Sequence, residues 1–149
     1  MSRTDAAEND YGLLMFNNTT WAAIGDATGI VGSTADGVFY VSLHTSDPGE
    51  GGDQTTNEAA YTSYVRVSVA RTTGGWTISG TNPTNATNAA EIPFAEATGG
   101  SETLTHFGIG TDSSGAGNLL WSGALDASRA VSSGITPSFA AGALDIDFV

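Results

Sequence analysis

From residue 38 onward the apolar runs of this chain are short, and each is cut by a turn. In Val38–Gly52, VFYVSLHTSDPGEGG, Phe39, Val41 and Leu43 alternate with Tyr40, Ser42 and His44 before Asp47-Pro48-Gly49 ends the run. Period-two alternation marks a strand with one buried face. Asp, Pro and Gly are turn residues because they bond the backbone, fix φ and accept positive φ, respectively. Beyond residue 25 no window of about 11–18 residues carries the 3.6-residue period of an amphipathic helix. The chain is therefore confined to an all-β class.

The same pattern recurs along the sequence. Tyr61–Arg71 reads as a strand with Tyr64, Arg66, Ser68 and Ala70 on one face and Val65, Val67 and Val69 on the other. Trp76–Ser79 follows a Gly74-Gly75 turn, and Asn82–Asn88 reads as a polar turn region. Glu91–Ala95 is strand-like, with Pro93 implying an edge or a bulge. Thr103–Gly110 and Asn118–Leu125 read as a hairpin across the loop Asp112–Gly117. Pro137–Ala140 and Leu144–Val149 complete a set of about eight short strands, the spacing of a β-sandwich or jelly-roll-like domain. No internal repeat of fixed period is present.

The first 25 residues differ. Residues 1–10 are polar and acidic and read as a mobile arm. Asp10 is a candidate N-cap for a short helix or pair of turns over the segment that follows. Tyr11, Leu13, Leu14, Phe16 and Trp21 offer an apolar surface that either closes one end of the domain's own core or docks on a neighbour. They are the candidate interface residues. Residues 1–25 form the arm and docking segment, and residues 26–149 the sandwich domain.

Composition narrows the function. At 149 residues one domain with a real core is expected. Cysteine is absent, which excludes disulfides and thiolate metal sites. Sixteen acids against four arginines and no lysine give a net charge of -12, which repels phosphate and anionic membrane surfaces. The N-terminal sequence lacks the apolar stretch of a secretory signal, so assembly in the host cytoplasm is the expectation.

The residues capable of chemistry do not form a recognisable site. His44, Asp47 and His106 are the candidates for a metal site or an acid–base pair, which would need converging ligands. Asp47, just before Pro-Gly, is better used to bond nearby backbone N–H groups. Asp112–Gly117 runs out of oxygen ligands too early for a calcium loop, and Asp145 and Asp147 share the solvent face of the last strand. Calcium held between subunits by such acids stays open. Trp21, Trp76 and Trp121 would suit a sugar platform only if exposed together, and core or interface packing is the simpler reading. No catalytic residue, metal ligand or cofactor site is assigned.

Four ordered blocks carry a resemblance: Leu43-His44-Thr45-Ser46-Asp47-Pro48-Gly49, Thr105-His106-Phe107-Gly108-Ile109, Asn118-Leu119-Leu120-Trp121-Ser122-Gly123-Ala124-Leu125 and Phe139-Ala140-Ala141-Gly142-Ala143-Leu144. Together they resemble a family of small tailed-bacteriophage virion proteins often labelled tail-fibre proteins. The resemblance implies a non-enzymatic virion structural protein. By analogy with capsid decoration (cement) proteins, which are small, acidic and disulfide-free, the expected role is decoration of the outer capsid surface. The expected partners are the major capsid protein and further copies in a homotrimer, with neither nucleic acid nor membrane. The alternative is a tail-tip or tail-fibre protein that recognises a host glycan.

Overall fold

The computed structural model describes residues 3–81 and 83–148. One helix, α1 (Asp5–Asn17), precedes nine strands. These are β1 (Val38–His44), β2 (Val67–Ala70), β3 (Trp76–Ser79), β4 (Thr84–Asn88), β5 (Ile92–Pro93), β6 (Ser101–Gly110), β7 (Leu119–Ser132), β8 (Ser138–Phe139) and β9 (Asp145–Phe148). They form three sheets, in the orders β2-β1-β6-β7, β3-β4-β9 and β5-β8. The all-β class expected from the turn-punctuated sequence is the one found. Contacts concentrate in two compact units. One combines the chain up to Val38 with Ala70–Glu91 and the segment from Phe139 onward; the other combines Phe39–Val69 with Ile92–Ser138.

In the first unit α1 packs on β3 and β4. The helix begins at Asp5, five residues before the Asp10 cap expected from sequence. Thr4 is in extended backbone, its hydroxyl accepts from Ala7 N–H, and Asp5 and Glu8 place negative charge in the first turn. Residues 5–10, read as part of a polar arm, are thus its opening turns; Met1 and Ser2 lie outside the described residues. The helix stops where Asn18 turns left-handed at φ 53°. No basic residue lies in its last turn. Arg71 supplies one from elsewhere, donating to Met15 O at 2.6 Å and Leu14 O at 2.8 Å.

Phe16, Trp76 and Phe148 form the aromatic core of this unit. Phe16 meets Trp76 edge-on at 5.0 Å and lies 5.8 Å from Phe148, which Tyr11 meets edge-on at 5.4 Å. Gly12 lets the helix come this close, because a Cβ there would lie 2.6 Å from the Phe148 ring. The strand β4 occupies residues that the sequence reading gave to a polar turn. It is the central strand of its sheet, pairing Trp76–Ser79 on one side and Asp145–Phe148 on the other. Thr84, Ala86 and Asn88 point inward and Asn85 and Thr87 outward. Thr and Asn mask this alternation because neither reads as apolar. Asn88 is tolerated in the core because its amide is fully used: it accepts from Leu144 N–H at 2.9 Å and donates to Ala90 O and Ala140 O at 2.7 and 2.8 Å.

The second unit is built on the antiparallel pair β1–β6, in register from Tyr40↔Gly110 to His44↔His106. Phe39, Val41, Leu43, Tyr61, Phe94, Leu104, Ile109 and Val131 fill its core. The strand expected over Tyr61–Arg71 is present only as Val67–Ala70. Ser63 sits at φ 85° and Tyr64 N–H bonds back to Tyr61 O at 3.0 Å, so the chain turns there before it extends. The β6–β7 hairpin is longer than expected, because β7 continues past Leu125 to Ser132 across a register shift at Leu104/His106.

Candidate functional site

One end of the four-stranded sheet carries most of the buried polar groups of the second unit. His44, at the end of β1, is fully buried. Its Nδ1 lies 2.9 Å from Thr56 O, and its Nε2 lies 2.8 Å from Ser42 Oγ. A carbonyl only accepts, so Nδ1 carries the proton and Nε2 accepts from the serine hydroxyl. Burial lowers the His44 pKa, with the bond to Thr56 opposing that shift. The ring is held neutral. Beside it, a Cβ on Gly108 would lie 2.6 Å from both His44 Nε2 and Ser42 Oγ. The glycine of the Thr-His-Phe-Gly-Ile block makes room for the histidine of the Leu-His-Thr block.

Next to this pair lies a second network. Arg66 is buried and donates through Nε and one terminal nitrogen to both oxygens of Glu58, at 2.6 and 2.8 Å. Its remaining donors reach Asp112 O and Gly115 O, each at 2.8 Å. Tyr64 donates to Glu58 Oε1 at 3.0 Å and accepts from Leu43 N–H at 3.0 Å. The bond to Glu58 raises the Arg66 pKa, and burial raises that of Tyr64. Gln54, also buried, bonds both backbone groups of Asp112 and donates its own N–H to Ala116 O at 2.9 Å. It fits only because Gly110 has no side chain: a Cβ there would lie 2.1 Å from the Gln54 amide carbon.

These contacts fix two loops. The loop after β1 is closed by Asp47, whose carboxylate accepts from Gly49 N–H at 2.8 Å as expected from the Asp-Pro-Gly sequence, and by Asn57 donating to Asp47 O at 3.0 Å. The 111–118 loop is gripped by Arg66 and Gln54 while Ser113, Ser114, Gly115 and Ala116 stay exposed. The guanidinium sits against the carbonyls of Asp112 and Gly115 in this loop. The site can therefore hold backbone conformation. Its histidine, arginine and tyrosine are bonded to internal partners.

The other candidate residues are distributed as follows. His44 and His106 are cross-strand neighbours, and His106 Nδ1 lies 2.9 Å from Thr105 Oγ1, which itself donates to Thr45 O at 2.9 Å. Asp47 is engaged in its own turn. No group of three His, Asp or Glu side chains among the described residues is arranged to hold a metal ion. Asp145 and Asp147 are exposed on β9, and Asp145 accepts from Asn85 at 2.8 Å. Trp76 is fully buried, and Trp121 packs edge-on to Phe39 at 5.4 Å. Of the proposed interface residues, Phe16 is fully buried within its own chain. Tyr11, Leu13, Leu14 and Trp21 are partly exposed, and Trp21 exchanges two backbone bonds with Ile30. Sequence reasoning missed Gln54, Glu58 and Asn88. The available signal was polar residues placed where alternation demands apolar ones, of which Arg66 between Val65 and Val67 is the clearest.

No curated protein matches the chain. The protein-family model described as podophage GP4 fiber I protein gp80 matches residues 15–147, a span that includes all four sequence blocks and both buried networks, and the chain belongs to that family.

Proposed function

We propose that this chain is a non-enzymatic structural protein of a podophage-type virion, working as part of a fibre. The observation that carries the reading is the family match over residues 15–147. The geometry agrees with it. Buried polar side chains are committed to fixing loops, and preordered loops on a rigid sheet are what a surface-recognition protein needs. On this reading the exposed tip of the 111–118 loop faces the host surface, where a glycan is the expected ligand. Immunogold labelling of intact virions with antibody to this chain tests it. Label confined to the tail end is expected; an even coat over the head would overturn it.

Capsid decoration is the second reading. Its supports are the absence of a fixed-period shaft repeat and the net charge of -12, which would keep coated particles apart in solution. The partners would then be the major capsid protein and further copies of the chain.

A further inference from the structure

Asp36 is the one aspartate of the chain that is followed by glycine. Every other aspartate precedes a residue whose side chain crowds its backbone nitrogen, or precedes proline. Asp36 and Gly37 are both exposed. Gly37 sits at φ 69°, which glycine adopts without steric cost, and a Cβ placed there would meet no atom within 4 Å. Its carbonyl accepts from Arg71 N–H at 3.1 Å, while its own N–H has no acceptor among the described residues. The Gly37 nitrogen is therefore unshielded, unbonded and next in the chain to a carboxylate.

The surroundings of Asp36 are built. Asn18, the left-handed cap of α1, donates through Nδ2 to Asp36 Oδ1 at 3.2 Å and to Ser33 O at 2.9 Å, and its Oδ1 accepts from Ser33 N–H at 2.6 Å. Arg71, which closes the helix through Met15 O and Leu14 O, also donates to Asp36 O at 3.3 Å. Residues 33–36 are thus a strap tied to the end of α1 by two side chains. The Asn18 bond holds the carboxylate in place and so opposes its rotation toward Gly37 N.

We propose that the Asp36–Gly37 bond is a site of spontaneous isomerisation, slowed by Asn18, and that the isoaspartate it yields releases the strap from α1. Gly37 N attacks Asp36 Cγ and an N–C bond forms. One carboxylate oxygen leaves as water, taking the amide proton and a proton from solvent, and a five-membered succinimide remains. Water then opens the ring at the Asp36 main-chain carbonyl. The backbone now runs through Cβ and Cγ, one atom longer, and the old carbonyl becomes a free carboxylate. Water is lost once and gained once, so no other reactant is needed. Arg71 then meets a carboxylate where it bonded a peptide carbonyl, and Asn18 meets the reverse, so both ties lose their geometry.

The test stores the purified full chain at neutral pH and physiological temperature and follows isoaspartate at each aspartate by peptide mass spectrometry. Product should accumulate at Asp36 ahead of every other position. Asp36→Glu should remove it, because the ring would need six members. Asn18→Gly keeps the left-handed cap but drops the amide, and should speed the reaction roughly two- to tenfold, the share that one net hydrogen bond holds back. In the stored protein the amides of Phe16–Thr19 should exchange with solvent faster than in fresh protein, while far-ultraviolet dichroism stays β-type. Intact Asp36 after storage, isoaspartate spread evenly over the aspartates, an unchanged rate in Asn18→Gly, or unchanged exchange at the helix end would each overturn the proposal.

Discussion

Both ring nitrogens of His44 are bonded inside the protein, and burial lowers its pKa from the ordinary value of 6.5. The fold therefore resists protonating it. Above about pH 6.5 the ring is neutral in folded and unfolded chains alike, and the full stability is present. As pH falls below that value the unfolded chain takes up a proton that the fold does not. Stability is then lost at up to ~1.4 kcal/mol per pH unit until the lower folded pKa is reached. In urea titrations at about pH 7.5 and about pH 5.5, wild-type protein should lose stability between the two, and His44→Gln should be weaker at the higher pH but show less of that loss. An unchanged pH response in the variant would show that other groups govern it. Arg66→Met should cost about 3–5 kcal/mol, since it leaves the Glu58 carboxylate without its buried partner, and should speed hydrogen exchange in the 111–118 loop. Equal exchange in wild type and variant would mean that the loop holds itself. At this scale the sequence showed that Asp47 would close its own turn, because that bond is local. It did not show the Arg66–Glu58–Asp112 network, whose members meet only after the sheet has formed.

Strands built from alternating apolar residues were legible from their side chains. The strand over Trp76–Ser79 has the bounds expected, and β1 and β6 lie within a residue or two of theirs. The strand β4 was not legible, because its inward residues are Thr84, Ala86 and Asn88, none of them a large apolar side chain. Asn88→Ala should therefore behave like a core substitution. It strips the buried Leu144 N–H of its partner, at about 1–3 kcal/mol for a donor left buried and unpaired; a change in unfolding midpoint indistinguishable from zero would contradict that. The helix gives a second test. Phe16 is buried against Trp76 and Phe148, so Gly12→Leu, which forces a side chain into the Phe148 ring, should destabilise by about 1–3 kcal/mol or more and change the near-ultraviolet dichroism of the aromatic cluster. Retention of the native aromatic signal would show that the helix is not seated as described. The helix start was misplaced from sequence because Asp10 and Thr4 are both acceptable caps, and the longer helix brings Glu8 into a buried position where its carboxylate accepts from Thr84 N–H at 3.3 Å.

For the whole molecule, the four sequence blocks pointed to a phage virion family, and the family match agrees with them. The structure brings parts of these blocks together: Gly108 of one makes room for His44 of another, and the last, Phe139–Leu144, is tied to Asn88. A net charge of -12 opposes compaction, so the thermal midpoint should rise from low salt toward physiological ionic strength, where charges beyond ~8 Å are screened. A fall with added salt would mean that ion pairs dominate the stability. Fibre and decoration roles differ most in where the chain resides and in how many copies. The direct measurement is quantitative mass spectrometry of purified virions after heads and tails have been separated, normalised to the major capsid protein. A fibre protein is expected in the tail fraction at a small fraction of the capsid-protein level. Recovery with the heads, in amounts comparable to the capsid protein, would contradict the fibre assignment, and absence from virions altogether would contradict a structural role in the particle.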